Sequence, residues 1–319
     1  MNCRKCGKKA VINMRQHKLG LCEEHFLDWI PQQTQRFIEK YGMFTKDDRI
    51  LVAISGGKDS LSLWDVLVRL GYHADGLYIN LGIDDGTQYS SKSKRFAEDF
   101  AETNKLQLLS VATESSEGFT IPEASRRTLR GQDRPCSVCG LTKRHILNRV
   151  AREKNYDVLV TGHNLDDEAA VLFGNTLNWA TGYLLRQGPL LEAKSGLVRK
   201  AKPFFRFYER ETAAYALLRG IEYIYEECPY AAGATSLYYK ELLNSMEDKR
   251  PGAKLSFLLS FLRAKESGFI TDGNSVDSRE LRACQSCGQP TTAPDMCTYC
   301  RTWTQIRSRQ PRTIEGSLT

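Results

Sequence analysis

The residues with the clearest chemical meaning form a short loop, Ser55-Gly56-Gly57-Lys58-Asp59-Ser60. Its glycines let the backbone approach an anion closely, and the N–H groups of the loop and of a following helix point at that anion, with Lys58 adding charge. The loop is not a Walker A motif, because Val52 stands where that motif has glycine and Asp59 where it has serine or threonine. We predict an enzyme that uses ATP. The alternative is a plain glycine turn between strand and helix.

The ten cysteines of the chain form two clusters at its ends and a third set in the middle. In a reducing compartment such clusters indicate metal binding or catalysis rather than disulfides. Each end carries two ligand pairs with tetrahedral zinc spacing, which favours two zinc sites over redox dithiols. The eight predicted zinc ligands are Cys3, Cys6, Cys22, His25, Cys284, Cys287, Cys297 and Cys300.

Three cysteines remain: Cys136 and Cys139, spaced as Cys-x2-Cys, and Cys228. Three thiolates without a fourth do not make a closed structural zinc site. One interpretation is a [4Fe–4S] cluster with three protein ligands and one open iron. Another is a dithiol that carries persulfide or forms a transient disulfide. A third, three unrelated thiols, is disfavoured by the spacing.

The elements that must position these residues alternate between strand and helix. This pattern predicts βαβ units and an α/β fold with a doubly wound parallel, Rossmann-like sheet, whose ligands bind outside the carboxyl ends of the strands. The predicted strands are Arg49–Ile54, Asp75–Leu81, Gln107–Ala112, Asp157–Gly162 and Glu222–Glu226. The predicted helices are Ser60–Leu70, Lys92–Lys105, Thr142–Lys154, Asp166–Asn178 and Glu209–Arg219, with a further core helix around Leu255–Leu262.

The domain division follows from the positions of the cysteines. We expect an N-terminal zinc module at residues 1–30 and a catalytic domain at 31–272. A second zinc module and a polar tail would occupy 273–319.

The composition is that of an ordinary water-soluble protein, with 41% hydrophobic and 26% charged residues and a mean hydropathy of −0.43. No apolar run approaches the roughly 18–20 residues of a membrane helix. The N-terminus has no apolar segment of the secretory kind. We therefore expect a cytoplasmic protein that does not bind membranes.

The net charge of +7 makes nucleic acid the first partner to consider, although an ordinary solvated surface has a similar charge. Two stretches predicted to be irregular, 113–134 and 192–210, concentrate basic residues, and the second interleaves them with aromatic ones. Such loops suit RNA, while the aromatic residues equally suit a core. The basic residues are Arg126, Arg127, Arg130, Arg134, Arg199, Lys200, Lys202, Arg206 and Arg210; the aromatic ones are Phe204, Phe205, Phe207 and Tyr208.

The motifs taken together resemble one family. SGGKDS is followed by PCSVCG at 135–140 with Lys143 close behind, by GHNLDDEA at 162–169, and by Cys228 before a proline. This combination is similar to the TtcA/TtuA family of PP-loop tRNA-thiolating enzymes, which cleave ATP to AMP and pyrophosphate. The terminal zinc modules, with His25 completing the first, resemble the TtuA branch, which acts on ribothymidine in the T loop.

The resemblance implies a role for each group. Cys136, Cys139 and Cys228 would hold a [4Fe–4S] cluster whose open iron accepts sulfide. ATP would adenylate O2 of a uridine, and sulfur would then displace AMP. The catalytic residues would be Lys143, Asp167 and Asp59, with Mg²⁺ bound or ATP oriented at Asp167. The residues around ATP would be Ala53, Ser55, Gly56, Gly57, Lys58, Asp59, Ser60, Ile79, Lys143 and Gly162.

The position of one of these residues supports its implied role, whereas others also have a simpler structural explanation. Lys143 stands one helical turn after Cys139, so that one helix face presents both groups. Asp166 and Asp167 have the plainer role of helix N-caps, and His163 that of a structural histidine. The resemblance further implies tRNA as substrate, a ubiquitin-like thiocarboxylated carrier (TtuB-like) as sulfur source, and a homodimer.

Several alternatives stay open at this point. The thiolated position could be a wobble uridine or a cytidine, and sulfur could pass through a dithiol or persulfide. A non-thiolating PP-loop ligase or amidotransferase would not need Cys136, Cys139 and Cys228. A zinc-module RNA-binding protein with a degenerate nucleotide fold would not turn over ATP.

Overall fold

A computed structural model describes residues 1–84, 86–128, 135–269 and 281–310 of the chain. The strands are β1 Ile12–Met14, β2 Leu19–Leu21, β3 Ile50–Ile54, β4 Ala74–Asn80, β5 Leu108–Ala112, β6 Val158–Thr161, β7 Leu190–Leu191, β8 Arg199–Ala201, β9 Arg282–Ala283 and β10 Pro290–Thr291. The α-helices are α1 Glu23–Lys40, α2 Lys58–Arg69, α3 Tyr89–Thr103, α4 Thr113–Glu117, α5 Ile121–Arg126, α6 Pro135–Glu153, α7 Leu165–Leu177, α8 Thr181–Arg186, α9 Glu209–Leu218, α10 Thr235–Lys249, α11 Ala253–Glu266 and α12 Thr298–Ser308. None of the helices in these ranges combines the length and the apolar character needed to cross a bilayer.

The central sheet has six strands in the order β5-β4-β3-β6-β8-β7. Its first five strands in that order are parallel, and only β7 runs antiparallel to its neighbour β8. The chain leaves β3 towards β4 and β5 and then returns to β6 on the other side of β3, so the strand order reverses between β3 and β6. The doubly wound α/β class predicted from the alternation is confirmed, and the reversal is where such sheets bind ligands.

The core lies on both faces of this sheet because successive side chains of a strand point to opposite faces. Along β3, Ile50, Val52 and Ile54 join the hydrophobic cluster that contains Trp64 of α2. Leu51 belongs to the cluster on the other face. Burial on both faces explains why β3 reads as a continuous apolar run.

One predicted strand is wrong. Residues Glu222–Glu226 form no strand, and the strand that pairs with β6 on the side away from β3 is β8, inside the stretch predicted to be irregular. The segment runs past the predicted phosphate loop, where the N–H of Ile224 donates to the carbonyl of Gly56 at 3.0 Å. Its β-like composition therefore reflects a chain that pairs with a loop rather than with the sheet.

The helix predicted from Thr142 begins earlier, at Pro135, and so includes the central cysteine pair. Proline fits the first turn of a helix, whose N–H groups have no intrahelical acceptor in any case. Cys136 and Cys139 consequently lie in the first turns of α6 rather than ahead of it.

The aromatic residues of the second basic stretch are not available for stacking on RNA, because Phe204, Phe205, Phe207 and Tyr208 are all buried in the core. Two basic residues of this stretch also have partners inside the protein. Lys202 pairs with Glu168 at 2.7 Å, and the guanidinium of Arg206 lies over the ring of Phe37. The RNA interpretation of this stretch is thus wrong for its aromatic residues. Arg130 and Arg134, and the boundary at 272/273, lie outside the described residues.

The N-terminal module rests on α9. Gln16 donates from Nε2 to the Glu211 carboxyl at 2.5 Å, and Arg210 donates to the Gln16 amide oxygen. The other Glu211 oxygen accepts the backbone N–H of Tyr208 at 2.9 Å, at the start of α9. Burial raises the pKa of Glu211 to about 8.

Replacing Glu211 with glutamine tests this contact. The folded state keeps its proton up to about pH 8, whereas the unfolded chain loses it near pH 4.5, so wild-type stability falls as pH rises through this interval. Glutamine mimics the protonated form, so Glu211→Gln should gain stability relative to wild type between pH 6 and pH 9, measured by urea unfolding. Glu102→Gln on α3 is the exposed control. A stability difference that does not change with pH would show that Glu211 is ionised in the folded protein.

Candidate active site

Two loops meet at the reversal in strand order, one after β3 and one after β6. β3 and β6 are paired in register from Ile50–Val158 to Ala53–Thr161, so both strands end at the same edge of the sheet. A Cβ on Gly162 would lie 2.8 Å from the carbonyl carbon and oxygen of Asp59 and 2.9 Å from the backbone nitrogen of Ser60. The second loop thus contacts the first, backbone to backbone, and only glycine permits this distance.

The predicted phosphate loop has the backbone that anion binding requires. Gly56 has φ +75°, and a Cβ there would lie 2.2 Å from the carbonyl oxygen of Ser93. Ser60 closes the loop, since its hydroxyl accepts the N–H of Ser55 at 3.1 Å. Helix α2 begins at Lys58, directly after Gly57, and presents its N-terminal N–H groups to this loop.

A cavity of about 480 Å³ opens beside these two loops. Most of the residues predicted to surround ATP line it, but Gly56, Gly57 and Lys58 do not. The lining residues predicted from the sequence are Ala53, Ser55, Asp59, Ser60, Ile79, Lys143, Gly162 and Asp167. Those not predicted as ligands include Tyr89, Arg144 and His163. No sequence spacing pointed to Tyr89 or Arg144.

Asp59 is held by two neighbours from other helices. Its Oδ1 accepts from the hydroxyl of Thr212 at 2.5 Å and from the Asn164 amide at 3.3 Å, while Oδ2 is 3.1 Å from the ammonium of Lys58. Burial raises its pKa and outweighs the opposing effect of Lys58. The side chain is therefore fixed by α7 and α9 and faces the cavity from the start of α2.

Neither aspartate of the second loop is the N-cap that the sequence suggested. Asn164 is the N-cap of α7, and Asp167 completes a capping box with it. Asp166 instead pairs with the buried Lys254 and accepts the N–H of Glu209. The second oxygen of Asp167 is 2.6 Å from the ammonium of Lys240 on α10, which sequence reasoning missed.

The central cysteines adjoin residues of the cavity lining, since Gly140 and Lys143 follow Cys139 on α6. Cys136 donates to the carbonyl of Tyr230 at 3.2 Å, which ties the start of α6 to the segment after Cys228. Cys139 and Cys228 both pack into one apolar cluster, and burial raises the pKa of each thiol. The ammonium of Lys143 opposes this shift at both.

The three thiols are neighbours but do not form a compact set for a single ion. Within the described residues, the two groups of donors that lie within 4.8 Å of one another are those of the terminal modules. A cube of four irons and four sulfides is larger than one ion and needs ligands that are farther apart. Three thiols, an apolar surround and a nearby lysine fit such a cluster chemically.

The N-terminal donors have the spacing of a zinc site. Tetrahedral Zn–S bonds of about 2.3 Å place two sulfurs roughly 3.8 Å apart. Cys6 and Cys22 Sγ are 3.7 Å apart, and Nδ1 of His25 is 3.5 Å from Cys3 and 3.2 Å from Cys22. All ten cysteines are free thiols.

The C-terminal donors include a residue that the spacing could not reveal. Cys287 and Cys297 Sγ are 3.8 Å apart, and Nε2 of His145, from α6, is 3.5 Å from Cys287. His145 forms a compact four-donor set with Cys287, Cys297 and Cys300. Cys284 adjoins this set, its sulfur accepting the N–H of Cys297 at 3.2 Å. Cys284 is thus next to the compact set of four donors but is not one of its members.

This module is fixed to α6 along its length. Trp303 is fully buried and donates to the hydroxyl of Thr142 at 3.3 Å. Gln289 accepts from Asn148 at 3.0 Å and donates to the carbonyl of His145 at 3.1 Å. The helix that carries Cys139 and Lys143 is thus packed against a predicted metal module.

Two family models match the chain. Residues 2–27 match the N-terminal LIM domain of 2-thiouridine synthetase TtuA, and residues 28–228 match the PP-loop domain. The fold and the loop define a PP-loop enzyme with a LIM domain at its N-terminus.

Relatives that match nearly the whole chain identify the family within this class of enzymes. The chain is 50% identical to the tRNA-5-methyluridine(54) 2-sulfurtransferase of Thermus thermophilus over 97% of its length and 93% of that protein. It is 43% identical to the protein of that name from Thermotoga maritima, over 98% of this chain and 99% of that protein. The chain therefore belongs to the TtuA family of sulfurtransferases, as the motifs predicted.

A solved structure shares the fold of this chain. The U34-tRNA thiolase NcsA from Methanococcus maripaludis, determined with its [4Fe–4S] cluster, superimposes with a TM-score of 0.73 at 26% identity. The match covers 83% of this chain and 88% of that one.

Gly162→Ala tests the backbone contact at the site. The added methyl group meets the Asp59 backbone at 2.8 Å, so the two loops must separate. We expect ATP affinity to fall by about tenfold or more, as for a lost charge-assisted contact, with the melting temperature little changed. Calorimetric titration with ATP measures this, and Gly182→Ala, in open space on α8, is the control. Unchanged ATP affinity would contradict the contact.

The four-donor set that includes His145 predicts which cysteine is dispensable for zinc. Cys284→Ser should keep the C-terminal ion, because His145 and three cysteines remain. Cys284→Ser combined with His145→Phe should lose it, as should Cys22→Ser the N-terminal ion. Zinc per chain after dialysis, by mass spectrometry, gives the answer. Loss of zinc from Cys284→Ser alone would exclude His145 as a substitute ligand.

Proposed function

We propose that the enzyme thiolates a uridine of tRNA at C2. In this reaction ATP adenylates O2 of the base with release of pyrophosphate, and a sulfur nucleophile then displaces AMP. The observation that carries the proposal is that one cavity is lined both by Ser55 and Ser60 of the phosphate loop and by Lys143 of the cysteine-bearing helix. Activation and sulfur attack can therefore take place on one bound base.

We take 5-methyluridine at position 54 of tRNA as the substrate. Support comes from the two relatives at 50% and 43% identity, which share this activity in their names, whereas the wobble-uridine thiolase NcsA is 26% identical. The donors of the N-terminal metal module, with His25 among them, add to this support. We keep wobble uridine or cytidine as the alternative substrates.

The charged residues of the cavity have proposed roles. Lys143 would stabilise negative charge as it develops on the phosphate or on the uracil oxygen, since a fixed cation in a site with little water acts strongly on such charge. Asp167 and Asp59 would hold or orient Mg²⁺–ATP, because carboxylates and phosphates are the usual Mg²⁺ ligands. Both carboxylates line the cavity.

We propose Cys136, Cys139 and Cys228 as the ligands of a [4Fe–4S] cluster. When bound, such a cluster would supply an iron without a protein ligand, where the sulfur nucleophile is held. Cys139 and Cys228 are partly buried against one apolar cluster, and the hydrogen bond from Cys136 to Tyr230 holds the two cysteine segments together. A persulfide on the same thiols is the alternative.

The remaining parts of the assignment are also proposals. Two zinc ions would fill the terminal modules, the sulfur source would be a TtuB-like thiocarboxylated carrier, and the enzyme would be a homodimer in the cytoplasm. We keep the division at 30/31 and 272/273, although helix α1, Glu23–Lys40, continues across the first boundary.

Nucleoside analysis of tRNA tests the proposed function. After anaerobic incubation with ATP and sulfide, the wild type should yield 2-thio-5-methyluridine. Cys139→Ser and Lys143→Met should lower the rate at least about a hundredfold, by loss of the sulfur site and of charge stabilisation. Cys139→Ser should still bind ATP, and Lys94→Met is the surface control. Absence of thiolated nucleoside with all metals in place, or full activity of the triple alanine variant at Cys136, Cys139 and Cys228, would contradict the proposal.

A further inference from the structure

Five charged side chains of alternating sign form a linear ion-pair network beside the phosphate loop. Asp59 contacts Lys58, Lys58 contacts Glu209, Glu209 contacts Lys240, and Lys240 contacts Asp167, at 3.1, 2.8, 3.2 and 2.6 Å. They come from four helices, α2, α7, α9 and α10. With three carboxylates and two ammonium groups, this ion-pair network has a net charge of −1.

At the centre of this ion-pair network, the Glu209 carboxylate lies between the ammonium groups of Lys58 and Lys240. Oε1 of Glu209 is bound by Lys58 and Oε2 by Lys240. The two lysine side chains are each 21% exposed, whereas that of Glu209 is 40% exposed. Glu209 is thus the member that turns out to solvent with the least disturbance, and its departure leaves two adjacent cations without their shared anion.

An anion on the phosphate loop competes directly with Glu209. Phosphate oxygens bound by the loop and the start of α2 would lie next to Lys58, whose ammonium is 2.8 Å from Glu209. Two anions at one ammonium repel each other. Phosphate, with several oxygens and more charge, also gains the N–H groups of the loop and displaces the carboxylate.

The same geometry determines which partners Lys240 has when Glu209 moves away. Its ammonium reaches Asp167, which lines the cavity, and a lysine has a long flexible stem. Once Glu209 leaves, Lys240 keeps one anionic partner in Asp167 and can donate its other protons towards the phosphates.

We propose that Lys240 is a second ligand, beside Lys58, for the pyrophosphate end of ATP, and that Glu209 is the internal counter-ion which this end displaces. The assignment rests on the proposed function for its choice of nucleotide. It gives α10 a part in ATP binding that neither the sequence motifs nor the cavity lining indicates. In the nucleotide-free enzyme, the Glu209 carboxylate then neutralises the lysines of the phosphate site.

Binding of inorganic pyrophosphate, AMP and ATP at one fixed Mg²⁺ concentration tests this by calorimetric titration. Lys240→Met should weaken pyrophosphate and ATP about tenfold or more and leave AMP unchanged, while Lys240→Arg should recover most of the loss. Glu209→Gln should bind pyrophosphate about two- to fivefold more tightly than wild type, because the competing charge is gone.

Controls separate this proposal from trivial outcomes. Lys94→Met and Glu98→Gln make the same charge changes in a surface ion pair of α3 and should bind as wild type does. Unchanged pyrophosphate affinity in Lys240→Met, or weaker binding in Glu209→Gln, overturns the proposal and leaves tRNA thiolation intact if thiolation by the wild type persists. A wild type that binds neither pyrophosphate nor ATP overturns both.

Discussion

The backbone contact between Gly162 and Asp59 is the constraint on which the site depends. It exists because β3 and β6 are adjacent and parallel, so that two loops far apart in sequence end at one edge of the sheet. Through this contact the capping box of α7 fixes Asp167 next to the loop that ends in Asp59 and Ser60. Any side chain at position 162 would separate the helix that carries Asp167 from the phosphate loop.

The two terminal modules hold the helices that face this site. The N-terminal one contacts α9 through Gln16 and Glu211, and α9 supplies Glu209 and Thr212 to the charged surroundings of Asp59. The C-terminal one contacts α6 through His145 and Trp303. Since a structural metal site contributes folding free energy directly, metal bound in either module would stabilise a helix that bears site residues. Metal in the modules would thus affect the site through the positions of these helices.

The sequence predicts local features well because their causes are local. The strand β3, the glycine loop and the start of α2 follow one another along the chain, and each has its own signature in periodicity or in residue type. The donors of the N-terminal module are predictable for the same reason, since paired ligands occupy short spacings. The parallel sheet follows from alternation alone.

The features that sequence reasoning missed are all made by tertiary contact. Lys240 and Glu209 have no motif, and only the packing of α7, α9 and α10 brings them to Asp167 and Lys58. His145 reaches the C-terminal cysteines because α12 packs on α6. Residues 222–226 read as a strand because their composition is β-like, yet their backbone partner is a loop. Composition records burial and propensity but not the identity of the partner.

The most direct test of this account follows one oxygen atom. If ATP adenylates O2 of the base and sulfur then displaces AMP, that oxygen must leave with the phosphate of AMP. A tRNA whose target uridine carries ¹⁸O at O2 should therefore give ¹⁸O-labelled AMP, one label for each 2-thiouridine formed, by mass spectrometry of the nucleotide products. Label found in pyrophosphate, in orthophosphate or in water, with unlabelled AMP, would contradict adenylation of the base.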